Sequence, residues 1–127
     1  MLKVAVLGAG HLGKIHLKLL NQSDKFELVG FYDANTSYAK QVAEEFGYNY
    51  IDSIDTLINL CDVVDIVTPT LSHYECAKKA IENKKHVFIE KPITNTVEEA
   101  EKLLSLIDTF NVKGQVGHVE RFNPAFK

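Results

Sequence analysis

The stretch VAVLGAGHLGKIH, Val4 to His16, decides the fold. Its first residues complete Leu2–Leu7, a short apolar run fit for a strand buried on both faces. From His11 to Asn21 the apolar residues fall at Leu12, Ile15, Leu19 and Leu20, which is a helical period. Between strand and helix stand Gly8, Gly10 and Gly13, spaced as G-x-G-x-x-G. Gly8 permits a tight turn, Gly10 lets backbone approach a pyrophosphate, and Gly13 lets the helix pack close to the strand. A helix start offers unpaired N–H groups and the positive end of its dipole to phosphates. The three glycines alone are weak evidence. Their place between a strand and a helix strengthens them considerably.

Outward from this loop, apolar runs alternate with helical patterns. Strands are expected at Phe26–Tyr32, Tyr48–Ile51, Val63–Val67, His86–Ile89 and Val112–Val116, which with Leu2–Leu7 makes six. Helices are expected at Thr36–Phe46, closed by Gly47, then Ser53–Asn59, Ser72–Asn83 and Thr96–Phe110. Ser72 with Glu75, and Thr96 with Glu99, have the spacing of capping boxes. This rhythm predicts an α/β fold, a doubly wound parallel sheet covered by helices on both faces. The length of 127 residues fits one domain, residues 1–127, and no linker is visible before Gly117.

The composition narrows the classes of function. The chain is 46% hydrophobic and 24% charged, both ordinary globular values. The net charge is -3 and Arg121 is the only arginine, which argues against nucleic acid or an acidic membrane as partner. No apolar run approaches membrane-spanning length, and glycines interrupt the N-terminal run where a signal peptide would be continuous. Cys61 and Cys76 lack metal-ligand or redox spacing, so free thiols in a cytoplasmic protein are expected. His11 and His16 are five apart rather than four and do not share a helix face as a zinc pair would, so no metal site is expected.

The residues with chemistry collect where the predicted strands end, which is where open α/β sheets bind ligands. Asp33 follows Gly13 by 20 residues, at the end of the second strand. A carboxylate there can accept the ribose hydroxyls of an adenosine and repels a 2′-phosphate. No arginine follows it, so NAD is favoured over NADP. Within the loop, His11 and Leu12 are placed to line the phosphate site, although His11 at that position can equally face solvent. Thr68-Pro69-Thr70 forms a rigid polar turn, suited to run past a nicotinamide ribose or simply to start a helix. His73 lies in the first turn after it. Glu90, Lys91 and Pro92 end the strand His86–Ile89, and Pro92 biases Lys91 toward extended backbone. His118 follows the last predicted strand.

With these residues in view, the sequence resembles the Gfo/Idh/MocA family of nicotinamide-dependent oxidoreductases. The ordered set GAGHLG, YDAN, DVVDIVTPTLSHYECAKKAIENKKHVFIEKP and GHVERFNP carries the resemblance over essentially the whole chain. Glu-Lys-Pro, at its spacing after the T-P-T turn, is its specific part. The resemblance implies an N-terminal Rossmann domain that binds NAD or NADP. It implies oxidation of sugar or cyclitol hydroxyls, or reduction of the matching carbonyls. It makes Lys91 the catalytic residue that reaches the reacting oxygen, with Glu90 helping to hold site and cofactor. It places the segment His118 to Pro124, with Arg121 and Asn123, along the substrate cleft.

Family members add a C-terminal domain that forms the substrate wall, commonly supplies a histidine acid/base, and carries the contacts of a homo-oligomer. The chain stops at VERFNPAFK, soon after its last predicted strand, and is therefore expected to be the first domain of a longer protein, inactive alone. Lys91 between a positive nicotinamide and Glu90 is expected to act by electrostatic positioning, with the proton carried elsewhere. Two other readings compete. An NAD-binding redox sensor without catalysis would bind NAD without turnover. A methyltransferase would leave Glu-Lys-Pro without a role.

Overall fold

The computed structural model describes residues 2–90 and 96–117. The elements in chain order are β1 (Leu2–Leu7), α1 (His11–Gln22), β2 (Phe26–Tyr32), α2 (Thr36–Phe46), α3 (Ile54–Asn59), β3 (Val63–Ile66), α4 (Thr70–Glu82), β4 (His86–Glu90), α5 (Val97–Phe110) and β5 (Gly114–Gly117). The strands form one sheet in the order β2-β1-β3-β4-β5, and every pair is parallel. The order reverses between β1 and β3. A crevice therefore opens at the C-terminal ends of those two strands.

The side-chain period of two divides the core cleanly. Val4 and Val6 of β1, Val63 of β3 and Phe88 of β4 face Leu17 and Leu20 of α1 and Ala39 and Val42 of α2. Ala5 and Leu7, Val64 and Ile66, and Val87 and Ile89 face the other way. They meet Leu57 and Ile58 of α3, Ala77, Ala80 and Ile81 of α4, and Leu103 of α5. Because both faces are covered, the strands read as apolar runs rather than as alternating ones. Fully buried residues of the size of Phe31, Phe88 and Leu7 each contribute roughly 1.5–3 kcal/mol by leaving water.

Local chemistry fixes the helix ends. The Asn35 side chain accepts from the Tyr38 N–H at 3.1 Å, and Gly47 closes α2 at a left-handed φ of 78°. Ser53 caps α3 by accepting from Thr56 N–H at 3.3 Å, and Thr96 caps α5 by accepting from Glu99 N–H at 3.1 Å. Helix α4 departs from expectation. It starts at Thr70 with Pro69 as its N-cap, two residues before the expected start, and makes no side-chain cap bond. Ser72 thus lies inside the helix, where its N–H already donates to Pro69 O at 2.8 Å, and the expected Ser72–Glu75 box does not form.

The expected sixth strand is also absent among the described residues. Tyr48–Ile51 makes a single parallel bridge, Tyr50 to Phe31. Phe31 N–H donates to Asn49 O and Ile51 N–H donates to Phe31 O, each at 2.9 Å. The chain then turns into the cap of α3 at Ser53, which leaves no length for a ladder. Among the described residues the sheet has five strands, and this segment lies along its β2 edge. Among the described residues, no helix is long and apolar enough to cross a membrane.

Candidate functional site

A cleft of about 700 Å³ opens over the ends of β1, β2 and β3. The glycine loop forms its floor. Gly8 sits at φ 104°, and a Cβ there would come within 2.7 Å of the Val67 backbone, so two independent constraints demand glycine. A Cβ at Gly13 would collide with the Gly8 carbonyl oxygen, so this glycine sets how closely α1 folds onto the loop. Gly10 differs from both. A Cβ there would meet no neighbouring part of the fold within 4 Å, and Gly10 itself lines the cleft. Gly10 is also the N-cap of α1 and supplies no side-chain acceptor. No side chain caps the first-turn amides of α1, which stand at the positive end of the helix dipole.

Asp33, at the end of β2, lines the same cleft. Its Oδ2 accepts from Ala9 N–H at 2.8 Å and its Oδ1 from Asn35 N–H at 2.9 Å. Each oxygen retains lone-pair capacity for a hydroxyl donor. The Tyr38 hydroxyl donates to Ala9 O at 2.7 Å, so both polar groups of Ala9 are held from outside the loop. The wall from β3 consists of Val67, Thr68 and Pro69, with Ser72 and Cys76 of α4 behind. Burial pushes the Cys76 thiol up, so it is a poor nucleophile at neutral pH.

The structure brings Gly8, Gly10, His11, Leu12, Gly13, Asp33, Thr68 and Pro69 together along this cleft. Thr70 opens α4. His73 is buried instead of lining the cleft, and its Nε2–H donates to Thr68 O at 2.7 Å, which braces the turn from behind. Glu90 ends β4, buried, with Oε2 3.1 Å from Nε2 of His16. Lys91, Pro92, His118, Arg121 and Asn123 lie outside the described residues. A smaller depression of about 430 Å³ flanks α1, lined by His11, Lys14, Ile15, Lys18, Phe46 and Tyr48. It lies away from the strand ends, and its Lys14 ammonium already stands over the Tyr38 and Phe46 rings at 5.8 and 6.0 Å.

Two buried residues gain a place that spacing did not suggest. His16 of α1 and Asp65 of β3 are fully buried, with Nδ1 and Oδ2 2.6 Å apart. Burial pushes the His16 imidazole down. The hydrogen bond and charge of Asp65, with the charge of Glu90, outweigh that and hold it above the ordinary histidine value. Burial pushes the Asp65 carboxyl up, against the pull of His16. The usable signal in sequence was a lone aspartate inside the apolar run VVDIV, since a carboxylate in a central strand is seldom buried without a partner. Among the described residues no three side chains of metal-ligating type are arranged to hold a metal ion.

A parallel doubly wound sheet, a glycine loop before an uncapped helix and an aspartate closing β2 define a dinucleotide-binding domain. The chain belongs to the GFO_IDH_MocA oxidoreductase family, NAD-binding Rossmann fold, whose model matches residues 2–118. It is 34% identical over 126 residues to UDP-N-acetylglucosamine 3-dehydrogenase of Acidithiobacillus ferrooxidans, covering 99% of this chain and 40% of that protein. A solved structure of that dehydrogenase superposes with a TM-score of 0.85 over 98% of this chain and 41% of that one, at 35% identity. The chain is 38% identical over 128 residues to scyllo-inositol 2-dehydrogenase (NAD(+)) of Bacillus subtilis, covering 98% of this chain and 37% of that protein. Biliverdin reductase from Synechocystis, solved with biliverdin and NADP+, gives a TM-score of 0.86 at 26% identity, over 94% of this chain and 38% of that one. The chain thus spans about two fifths of the length of these relatives.

Proposed function

We propose that this chain is the cofactor-binding domain of an NAD-dependent oxidoreductase that interconverts a hydroxyl and a carbonyl on a sugar, a cyclitol or a similar small molecule. The observation that carries the reading is the open space over Gly10, beside the uncapped start of α1 and within the cleft that Asp33 borders. These residues fit a dinucleotide. The first-turn amides of α1 would hold the pyrophosphate, and the free lone pairs of Asp33 would accept the adenosine ribose hydroxyls. The relatives' names support the substrate class, and their greater length supports a further substrate and oligomerisation domain in the full-length protein. Cytoplasmic residence belongs to the same reading.

When bound, the nicotinamide supplies the two-electron redox chemistry. The protein's part is to orient it and to manage charge on the substrate oxygen. The turn at Thr68, braced through its carbonyl by His73, borders the half of the cleft on the β3 side. Lys91, which follows β4, is assigned to stabilise negative charge on the reacting oxygen. Calorimetric titration with NAD and NADP tests the reading. Saturable NAD binding, tighter than NADP, is expected. No binding of either would remove the cofactor assignment, and tighter NADP binding would overturn the role of Asp33.

A further inference from the structure

His16 ties together elements that lie on opposite sides of the switch in strand order. It sits in the second turn of α1, the helix whose start borders the cleft and whose chain continues into β2. Its Nδ1 meets Asp65 of β3 at 2.6 Å and its Nε2 stands 3.1 Å from Glu90 at the end of β4. The second contact sets a buried carboxylate against the other nitrogen of the same imidazole. The Phe88 ring closes the site edge-on, with centroids 6.1 Å apart. All three charged side chains are buried.

Such a trio is a poor device for stability alone. Burying charges costs several kcal/mol of desolvation per ion, and apolar residues of similar volume often serve a core equally well. What an ion trio does supply is a fixed mutual position, because its attraction depends on distance and direction where apolar packing tolerates slippage. Here the fixed elements are α1, at the phosphate end of the cleft, and the exits of β3 and β4. A dinucleotide spans that crevice, so its two halves rest on α1 and on the exits of β3 and β4, and His16 is a direct side-chain tie between them.

We propose that His16 is a positioning residue that sets the nicotinamide side of the site relative to the phosphate side. The proposal rests on the dinucleotide reading above. On this view the adenosine and pyrophosphate are gripped by the glycine loop and Asp33, independently of His16. The nicotinamide half meets its contacts only while His16 holds the end of β4 in place. The groups facing His16 are Asp65 and Glu90, and its charged form is the one that binds both.

Calorimetric titration with NAD and with ADP-ribose, which lacks the nicotinamide, separates these halves. In the unsubstituted chain both ligands are expected to bind. His16→Gln is expected to weaken NAD about fivefold or more while ADP-ribose stays within about twofold, a split that general loosening would not produce. Equal weakening of both ligands, or unchanged NAD affinity, would overturn the proposal. If circular dichroism shows that His16→Gln does not fold, the unsubstituted chain carries the test. The His16 ring resonances are then titrated with pH under saturating NAD and under saturating ADP-ribose. By reciprocal linkage NAD must move the His16 midpoint more than ADP-ribose does, and equal midpoints would overturn the proposal. A chain that binds neither ligand overturns the cofactor reading itself, whereas one that binds both with an unmoved ratio in His16→Gln overturns this inference alone.

Discussion

The Asp33 carboxylate accepts the Ala9 amide at 2.8 Å, so the residue read as a ribose ligand also shapes the phosphate loop. Its other oxygen accepts from Asn35 N–H, which sets the approach to α2. On the proposed reading, ligand recognition and loop geometry share one side chain.

Replacing Asp33 should have two effects at once. Hydrogen bonds to a charged group contribute roughly 1.5–3 kcal/mol, so Asp33→Ala should lower the unfolding free energy by about that amount. It should also weaken NAD by roughly tenfold or more through the lost ribose contacts. Because the loop loosens, removing the carboxylate should give little gain for NADP. Urea denaturation and parallel titrations check both. A variant of unchanged stability whose affinity for NADP rises strongly would show that the carboxylate acts on the ligand alone.

Gly8 and Gly10 should separate folding from binding. Gly8→Ala places a side chain at φ 104° and within 2.7 Å of the Val67 backbone, and should cost on the order of 2–4 kcal/mol. Gly10→Ala meets nothing within 4 Å at φ -66° and should change stability by less than about 1 kcal/mol. Gly10 lines the cleft, so the added methyl group should weaken NAD by about tenfold or more. Strong destabilisation by Gly10→Ala would refute the view that its space is kept open for a ligand.

Most of the layered fold is legible because its cause is local. The apolar runs LKVAVL and HVFI and the helical periods after them need no long-range information. Tyr48–Ile51 misled because an edge segment carries the same residues as a strand, while its pairing length depends on where α3 begins. That Asp33 and the glycine loop would meet at one edge of the sheet was readable from spacing. The pairing of His16 with Asp65 was not, since 49 residues separate them and only the crossover of the sheet brings them together. His16 could be weighed in sequence only against its neighbour His11, and the partner that matters lies on another strand. His73 shows the same limit, because its spacing after the T-P-T turn did not say which way its ring would face.

Tyr38 should prove part of the loop although no motif marks it. Its hydroxyl donates to the Ala9 carbonyl at 2.7 Å, and its ring lies under the Lys14 ammonium at 5.8 Å. Tyr38→Phe keeps the ring and deletes the hydrogen bond, so a loss of about 1 kcal/mol in stability is expected. NAD should weaken severalfold, since the Ala9 peptide is then held only by Asp33. Thermal unfolding and titration of the variant decide this, and an affinity equal to that of the unsubstituted chain would show that Asp33 alone sets the loop.

The buried trio should make stability fall on the alkaline side of neutrality. His16 is held above its ordinary value of 6.5, so its contribution is fully present below that pH and is lost as pH rises through the raised folded value. His86 acts with the opposite sign. Burial, then the Lys113 charge, lowers its value, and its Nδ1 accepts from Lys113 N–H at 3.0 Å, which requires an unprotonated nitrogen. That contribution is present above 6.5 and is lost as pH falls through the depressed folded value. Burial makes the ionised Asp65 carboxyl costlier in the fold than in the unfolded chain, so its contribution fades as pH climbs above 3.8 and opposes the trend from His86 on the acid side. The alkaline limb is therefore the diagnostic one. Urea denaturation between pH 6.5 and 8, below the range where the Cys61 and Cys76 thiols, both raised by burial, add a loss of the same sign, should show the unfolding free energy falling by at most about 1.4 kcal/mol per pH unit, the limit for one proton. A flat profile there would mean that His16 is not the charged member of the trio.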